Sequence, residues 1–365
     1  MTNRRDFVSA GLAFAACPSI ASGLKHHYTE KFIWADLVHL GVNMWIDHDV
    51  GSPDDQHATL QQKGPPEILQ CDESQWLEIT ARMQIRGLNM LVIDLAEGLV
   101  FPSHPELAVK GAWSADKMKD EVLRLKGMGI EAIPKINFST SHDAWMGPYQ
   151  RMVSTAAYYD FCDQIIRDAA EIFGTPRFFH IGFDEESALC QSRYDYCVVR
   201  QGELWWHDFL RTVKRVEGLG MRPWMWSDVE WYDHDRFVKR CPRSVLQSNW
   251  YYSKTFDKKT LSEAKKNQVV QKEVLQMYEL DQVECYERLE KAGFDQIPCG
   301  GNWREDVNLS ETVKFCSANI APERLKGFLV APWRRLTPPF KDVNLKGVDL
   351  MGDEIDKQKK FCSVG

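Results

Sequence analysis

Three consecutive acidic residues, Asp184, Glu185 and Glu186, directly follow the apolar segment Phe178–Phe183. Neighbouring carboxyl groups can act as acid and base when their surroundings push their pKa values apart. Cleavage of a glycosidic bond needs such groups, because a proton must reach the leaving oxygen while an oxocarbenium-like centre is stabilised. Carboxylates also favour helix N-termini, so the same residues are equally compatible with capping the next helix.

The spacing of these acids limits what they can share. Side chains of neighbouring strand residues point to opposite faces, so Asp184 and Glu185 reach one pocket only where the strand ends or bends. Gly182 precedes Asp184 by two positions, and glycine within a strand often marks such a bend. We therefore expect the chain to leave its extended conformation near Gly182.

The segments around these acids alternate between two hydrophobic patterns. Short apolar runs are typical of strands buried on both faces, and the longer amphipathic stretches between them are typical of helices. The predicted strands are Leu40–Trp45, Met90–Leu95, Ala132–Phe138, Phe178–Phe183, Pro223–Ser227, Val245–Trp250, Phe294–Cys299 and Gly327–Ala331. The predicted helices are Glu73–Arg86, Ala115–Met128, Val153–Phe173, Arg200–Glu217, Asp235–Arg240, Ser262–Ala292 and Ser310–Ala318.

Eight strands with helices between them predict an α/β fold, a (β/α)₈ TIM barrel that forms a single catalytic domain over residues 38–365. An open doubly wound sheet usually carries a glycine-rich turn after its first strand, and this sequence has none. Active sites of such barrels lie at the carboxyl ends of the strands. Polar and aromatic residues gather at those positions: Asp47, His48, Asp49, Asp94, Glu97, Asn137, His142, Asp184, Glu185, Glu186, Asp228, Glu230, Trp250, Tyr251, Asn302, Trp303, Trp333, Arg334 and Arg335.

The 13 tryptophans favour either a well-packed barrel or a cleft in which flat rings stack on sugars. Trp205-Trp206 falls inside a helical stretch, which favours core packing. Trp226 lies near a strand end, and we expect it at the mouth of the site. Trp250, Tyr251 and Tyr252 end another strand, which favours a ligand-facing position for at least one of them.

The segment His180-Ile181-Gly182-Phe183-Asp184-Glu185 resembles the His-x-Gly-Gly/Ala-Asp-Glu motif of family 20 glycoside hydrolases, the β-N-acetylhexosaminidases. Other segments resemble that family in the same order, over roughly residues 40–333. They are Leu88-Asn89-Met90-Leu91 with Glu97 and Pro102, Ile133-Pro134 with His142, Pro223-Trp224-Met225-Trp226-Ser227-Asp228, and Gly327 to Trp333.

The resemblance implies an exo-acting β-N-acetylhexosaminidase with a retaining mechanism, in which the acetamido oxygen of the substrate attacks the anomeric carbon. It implies Glu185 as general acid/base and Asp184 as the residue that orients the 2-acetamido group. It also implies no metal or cofactor, and a carbohydrate substrate that is bound by Glu97, His142, His180, Trp226, Trp250, Trp303 and Trp333.

The sequence departs from the family pattern at positions that serve sugar recognition. Leu40 stands where the family has an Arg, and Lys135 and Arg335 stand where it has Glu. The Tyr that steadies the cyclised intermediate has no clear match near residues 302–306. The cations Lys135, Arg334 and Arg335 are compatible with surface positions, and as an alternative hypothesis they would hold an acidic sugar by charge-assisted hydrogen bonds.

Three other functions stay open on the sequence alone. A barrel glycosidase with its own nucleophile would use Asp228, Glu230 or Glu97. A non-hydrolytic carbohydrate-binding barrel would explain the altered recognition positions. A metal-dependent isomerase or lyase would need ligands at several strand ends, for which the candidates are Asp47, His48, Asp94 and His142.

The N-terminal residues indicate export. Arg4-Arg5 precedes an apolar stretch that is too short to span a membrane, which is typical of a twin-arginine signal segment, here residues 1–23. This interpretation predicts a periplasmic or other extracytoplasmic location. Cys17, behind two alanines, adds the hypothesis of a lipid anchor. No other stretch predicts a membrane span.

The overall composition excludes some classes of partner. The formal net charge is −7 and no Lys/Arg-rich run stands out, so we do not expect nucleic acid to bind. The 10 cysteines are irregularly spaced and form no CxxC pair. We expect most of them to be buried, although Cys190 and Cys197 are close enough in sequence to pair.

Overall fold

Eight short parallel strands form the centre of the molecule. The computed structural model describes residues 31–42, 44, 66–192, 194, 196–267 and 278–364. The strands are β1 (Ile33–His39), β2 (Met90–Asp94), β3 (Glu131–Lys135), β4 (Phe178–His180), β5 (Arg222–Trp226), β6 (Leu246–Ser248), β7 (Cys299–Gly300) and β8 (Gly327–Val330). Their hydrogen-bonded order is β6-β5-β4-β3-β2-β1-β8-β7.

The two ends of this sheet meet, so the barrel is nearly closed. Gln247 in β6 forms a parallel bridge with Gln296, which precedes β7. The N–H groups of Ile297 and Cys299 donate to the carbonyl oxygens of Gln247 and Asn249, each at 2.9 Å. The predicted (β/α)₈ barrel is thereby confirmed.

Helices follow the strands along the chain, and local signals set their ends. The first, Glu73–Arg86, begins where the Asp72 side chain accepts the N–H of Gln75 and ends at Gly87 with φ 86°, a left-handed conformation that glycine adopts without strain. The helices are α1 (Glu73–Arg86), α2 (Ala115–Gly127), α3 (Ala156–Ile172), α4 (Ala188–Gln191), α5 (Glu203–Gly218), α6 (Asp228–Tyr232), α7 (His234–Arg240), α8 (Lys258–Asn267), α9 (Glu279–Lys291), α10 (Asn308–Asn319) and α11 (Lys341–Val364).

The prediction for the first strand was wrong. β1 is Ile33–His39 rather than Leu40–Trp45, and it begins ahead of residue 38, where we placed the start of the barrel. Asp36 and His39 interrupt the apolar run that marks the other strands, yet both are buried inside the barrel. Pairing of Ala35 to His39 with β2 explains why this polar segment is a strand.

Other expectations have mixed outcomes. Trp205 and Trp206 are buried on α5, as predicted. The long helix expected over Ser262–Ala292 is two described helices, α8 and α9, with residues 268–277 outside the described part. The signal segment with Cys17 and the cluster of residues 47–49 also lie outside the described residues.

The described residues contain neither a candidate membrane span nor a candidate metal site. None of the helices there combines the length and the apolar character that crossing a bilayer requires. No group of three His, Cys, Asp or Glu side chains converges there in the way a metal site would need. The cysteines that the structure describes are free thiols, so Cys190 and Cys197 are not joined.

Candidate active site

The chain bends sharply where β4 ends. Gly182, Phe183 and Glu185 have φ angles of 73°, 66° and 54°, in the left-handed region that is costly for residues other than glycine. A Cβ on Gly182 would lie 2.0 Å from the Oδ1 atom of Asn137, so only glycine fits there. The bend suggested by Gly182 is present, and it ends the alternation that would separate Asp184 from Glu185.

Both carboxyl groups meet at His142. Its Nε2 atom lies 3.5 Å from Asp184 Oδ2 and 3.2 Å from Glu185 Oε2, while Nδ1 lies 2.9 Å from the carbonyl oxygen of Met44. Burial lowers the pKa of His142, but the charges of Asp184 and Glu185 outweigh burial and raise it to about 9. The imidazole is therefore protonated at neutral pH, and one cation faces two acids.

The loop after β3 holds the backbone and side chain of these acids. Asn137 Nδ2 donates to Asp184 Oδ1 at 2.8 Å. The hydroxyls of Ser139 and Ser141 donate to the carbonyl oxygens of Asp184 and Glu185, at 2.5 and 2.6 Å. The Glu185 side chain is 19% exposed and that of Asp184 12%, so Glu185 is the more accessible acid.

Asp228 is a third carboxyl group at this site, and it supports Glu185. Its Oδ1 accepts the backbone N–H of Glu185 at 3.1 Å, and its Oδ2 accepts the indole N–H of Trp250 at 2.9 Å. Burial, and then the charges of Asp184 and Glu185, raise the pKa of Asp228 well above its ordinary value. The sequence placed Asp228 at the end of β5 and offered it as an alternative nucleophile, but it did not predict that Asp228 supports Glu185.

The third acid of the run has a different environment. Both oxygens of Glu186 accept from Arg200, at 2.6 and 3.0 Å, and both side chains are fully buried. Arg200 also donates to the carbonyl oxygen of Phe138. The next helix, α4, is capped by Ser187, so the helix-capping interpretation of the three acids was wrong.

Aromatic side chains that follow β6, β7 and β8 lie together, and Tyr252 connects them. Its hydroxyl accepts the indole N–H of Trp333 at 2.5 Å. Its ring stacks on Trp250 at 5.5 Å between centroids and meets Trp303 edge-on at 5.5 Å. Tyr252 thus contacts three of the four tryptophans predicted to bind substrate, Trp250, Trp303 and Trp333. The aromatic run 250–252 was the signal for Tyr252 in the sequence.

Trp226 is the fourth tryptophan, and it lies deeper than predicted. It is fully buried, with its ring centroid 4.5 Å from that of His180 and 5.7 Å from that of Trp333. The expectation that Trp226 lies at the mouth of the site was therefore wrong. All residues of β5 after Arg222 are buried, and the Trp226 ring packs between His180 and Trp333.

His180 and Glu97, both predicted to bind substrate, are fully or almost fully buried. His180 Nδ1 accepts the N–H of Gly182 at 3.2 Å, and burial lowers the pKa of His180 well below its ordinary value. A Glu97 oxygen accepts the N–H of Val42 at 2.7 Å. Both side chains hold backbone at the strand ends that carry the site.

The cations proposed for an acidic sugar all have contacts within the protein, and for Arg335 one of these is the ring of Phe340. Lys135 is buried in an ion pair with Asp94, whose Oδ2 also lies 3.4 Å from His39 Nδ1. Arg334 donates to the carbonyl oxygens of Trp333 and Trp303, at 3.0 and 3.4 Å. Lys135 is already neutralised, so it does not offer a charge to a substrate carboxylate.

Comparison with known proteins identifies the fold. No protein-family model matches the chain, and no curated protein sequence matches it. Among solved structures, a β-N-acetylhexosaminidase from Bacteroides fragilis has a TM-score of 0.54 and 12% identity, covering 92% of this chain and 71% of its own. The family 20 enzyme from Streptomyces coelicolor A3(2) has a TM-score of 0.55 and 13% identity, covering 88% and 65%.

A third structure agrees. The N-acetyl-β-hexosaminidase from Streptomyces plicatus, in complex with thio-NAglucal, has a TM-score of 0.55 and 14% identity, over 88% of this chain and 64% of its own. The chain therefore spans just under two thirds of both Streptomyces proteins. At this identity the likeness shows that the chain has a barrel fold of the kind found in family 20.

Proposed function

We propose that this protein is a glycoside hydrolase of the β-N-acetylhexosaminidase type, with Glu185 as general acid/base and Asp184 orienting the substrate's 2-acetamido group. The observation that carries the proposal is the convergence of both carboxyl groups on His142 at the end of β4. The barrel shared with β-N-acetylhexosaminidases supports it, because an active site is expected at that end of the barrel.

Asp184 is suited to orient an amide. One of its oxygens is held by Asn137 and the other lies near His142, so the carboxylate has a defined direction. In the proposed reaction it accepts the N–H of the acetamido group, and this makes the acetamido oxygen a better nucleophile. That oxygen forms a bond to the anomeric carbon as the glycosidic bond breaks.

Glu185 has the exposure that a proton donor needs. In the first step its carboxyl proton passes to the departing glycosidic oxygen. In the second step its carboxylate takes a proton from water, and the water oxygen attacks the anomeric carbon and reopens the acetamido ring. Asp228 accepts a hydrogen bond from the backbone N–H of Glu185 at 3.1 Å. This contact holds the backbone from which the Glu185 carboxyl group reaches the substrate.

The environments of the alternative nucleophiles favour the substrate-assisted route. Asp228, Glu230 and Glu97 are all exposed by 2% or less. Glu230 is held by a two-point ion pair with Arg288, at 2.7 and 2.8 Å, and the other two accept backbone or indole N–H groups. A nucleophile supplied by the sugar leaves these contacts intact.

The deciding experiment is hydrolysis of aryl β-N-acetylglucosaminide and β-N-acetylgalactosaminide, beside neutral and uronic aryl glycosides. Wild type is compared with Glu185→Gln and with the matched control Glu323→Gln, an exposed acid that precedes β8. We expect turnover of an N-acetyl substrate by wild type and the control, and its loss in Glu185→Gln. A thiazoline analogue of the cyclised intermediate should inhibit this turnover.

Other outcomes would point elsewhere. Cleavage of a glycoside without an acetamido group would favour a barrel glycosidase with its own nucleophile. Binding of sugars without any turnover would favour a carbohydrate-binding barrel. Either result would overturn the assignment of Asp184 as the residue that orients an acetamido group.

The N-terminal sequence supports a further part of the proposal, namely that the protein is exported. Arg4-Arg5 and the apolar stretch behind it are typical of a twin-arginine signal segment, and Cys17 is the candidate for lipid attachment. Cell fractionation of wild type and of Arg4→Lys/Arg5→Lys tests this. Retention of only the double variant in the cytoplasm is expected, and cytoplasmic wild type would contradict export.

A further inference from the structure

A cavity of about 300 Å³ lies between the loop after β4 and helices α5, α6 and α7. The buried pair of Glu186 and Arg200 forms part of its wall, whereas none of the proposed catalytic groups is among the described residues that line it. We call it the α5 pocket, because the N-terminal end of α5 forms another part of the wall. The lining residues from that end are Gln201, Gly202, Trp205 and Trp206.

The N-terminal end of α5 carries backbone donors without acceptors. This helix of 16 residues begins after Gly202, and no side chain caps its first turn. The N–H of Trp206 donates to the carbonyl oxygen of Gly202 at 3.3 Å, but the N–H groups of Glu203 and Trp205 have no acceptor in the described part of the chain. A helix end of this kind carries about half a positive charge and attracts anions.

The side chain of Trp205 adds a buried donor to the same wall. The residue is 5% exposed, and its indole Nε1 atom is buried without a hydrogen-bond partner among the described residues. Its ring stacks on Phe209 at 5.1 Å between centroids and meets Phe183 edge-on at 5.6 Å, so the indole is held in place. A buried donor without an acceptor is unfavourable, and a ligand oxygen in the α5 pocket would satisfy it.

Arg236 of α7 brings a cation to the start of α5. Its Nη1 atom lies 4.0 Å from the position that a Cβ on Gly202 would take. Its Nε atom lies 3.4 Å from Asp233 Oδ2, and these two side chains are 45% and 34% exposed. An ion pair that is partly exposed is weak, so the guanidinium group can also bind an anion beside the helix end.

The other charged side chains at the α5 pocket already have partners. Both oxygens of Glu186 accept from Arg200, at 2.6 and 3.0 Å, and this pair is fully buried. Glu203 accepts from Arg240 and its side chain is 80% exposed. Asp233 is offset by the arginine of its own ion pair. The groups that still need a partner are therefore donors, and the ligand that suits them is an acceptor with negative charge.

We propose that the α5 pocket binds a phosphate or sulfate group, held by the backbone N–H groups at the start of α5, the indole N–H of Trp205 and the guanidinium group of Arg236. A tetrahedral oxyanion offers several acceptor oxygens, which suits donors from a backbone and two side chains. Tyr232 and Tyr278 line the rest of the cavity and leave room for a small organic part of the ligand. The inference is independent of the proposed reaction, because it uses none of the catalytic groups.

The test is calorimetric titration of the full chain with inorganic phosphate and sulfate, at an ionic strength held constant with sodium chloride. We expect saturable binding to wild type. Arg236→Gln should weaken the Kd about tenfold and Trp205→Phe, which removes only the indole N–H, about fivefold. The matched control Arg82→Gln removes a partly exposed arginine that pairs with Asp349, and it should leave the Kd within about twofold.

Two outcomes would overturn the site. One is the absence of saturable binding to wild type, and the other is equal weakening in Arg236→Gln and Arg82→Gln, which would reflect the overall charge only. Because Arg236 is partly exposed, its variant keeps the test decisive if Trp205→Phe fails to fold. Glu185→Gln should bind phosphate as wild type does, so failure of the proposed reaction leaves this result unchanged.

The source of the anion is distinguished by a second ligand. N-acetylglucosamine 6-phosphate is titrated beside inorganic phosphate, with neutral N-acetylglucosamine as the control. Tighter binding of the sugar phosphate than of either control, lost in Arg236→Gln, would assign the α5 pocket to a phosphorylated sugar. Equal binding of the sugar phosphate and inorganic phosphate, with the same dependence on Arg236, would assign it to the free anion.

Discussion

Glu185 and Glu186 are neighbours in the sequence but belong to carboxylate clusters of opposite character. In one cluster Asp184 and Glu185 share a single imidazolium, and their side chains are 12% and 19% exposed. In the other, Glu186 and Asp208 surround Arg200, and the exposed fractions are 0–2%. The first, which we call the open cluster, leaves its acids within reach of a ligand. In the second, the closed cluster, the charged groups are buried and paired with one another.

This difference shows how one loop combines function with stability. Removing one partner of a buried, fully hydrogen-bonded ion pair lowers the free energy of unfolding strongly, because the other charge stays buried without compensation. The pair of Glu186 and Arg200 therefore anchors the loop after β4. The anchored loop can then hold Phe183 and Glu185 in left-handed backbone conformations that are unfavourable by themselves. We infer that the strain at the site is maintained by the closed cluster directly behind it.

The largest expected effect is the loss of kcat in Glu185→Gln, which distinguishes Glu185 from Glu186. Glu185→Gln removes the proposed proton donor, and we expect kcat to fall about 10³-fold, within the usual range for general acid catalysis. The free energy of unfolding should fall by less than in Glu186→Gln, because the Glu185 side chain is partly exposed and Asp184 still faces His142. Steady-state kinetics and urea unfolding measure both quantities, and a loss of kcat below tenfold would remove Glu185 from the chemistry.

The converse change tests the closed cluster. Glu186→Gln leaves Arg200 buried with one fewer carboxylate, and we expect a loss of about 3–5 kcal/mol in the free energy of unfolding. The double variant Glu186→Gln/Arg200→Met should lose less than the sum of the two single variants, which urea unfolding can establish. A fall in kcat in Glu186→Gln at unchanged stability would instead place Glu186 in the reaction.

The pH dependence of stability tests the single cation of the open cluster. The pKa of His142 is raised from 6.5 to about 9, so its contribution is full below pH 6.5 and is lost as pH rises through 9. The raised pKa corresponds to about 3 kcal/mol. We expect the stability difference between wild type and His142→Gln, from urea midpoints at several pH values, to shrink over that window. A difference that grows with pH would contradict a protonated His142.

The smallest expected effect concerns Asp228, which touches the open cluster through the backbone. In Asp228→Asn one oxygen can still accept the N–H of Glu185, but the amide NH₂ then faces the indole N–H of Trp250, and that hydrogen bond is lost. We expect kcat to fall about tenfold with KM within about twofold, because only the position of Glu185 changes. A loss as large as that of Glu185→Gln would indicate a direct chemical role for Asp228.

Several features of the site could be predicted from the sequence because they are local. Asp184 and Glu185 follow an apolar strand, and Gly182 signals the bend that the structure shows. β1 escaped prediction because Asp36 and His39 resemble surface residues in a local pattern but are buried in the barrel. Trp226 was predicted at the mouth of the site but lies in the barrel interior. The alternation of side chains along a strand predicts which face a residue takes, but not how deeply that face is buried.

By itself, the sequence determined the order of the strands from β2 to β8 and the position of the paired acids after β4, because hydrophobic periodicity and strand-end composition are properties of short segments. Only the tertiary structure decided which distant residues complete the site. Parallel pairing of β3 to β6 puts the ends of these strands side by side, so His142 and Asp228 meet the acids that follow β4, and Trp250 meets Asp228. It also decided that Asp184 and Glu185 reach the same side while Glu186 faces Arg200, because the backbone bend ends the alternation that in a regular strand would place Asp184 with Glu186.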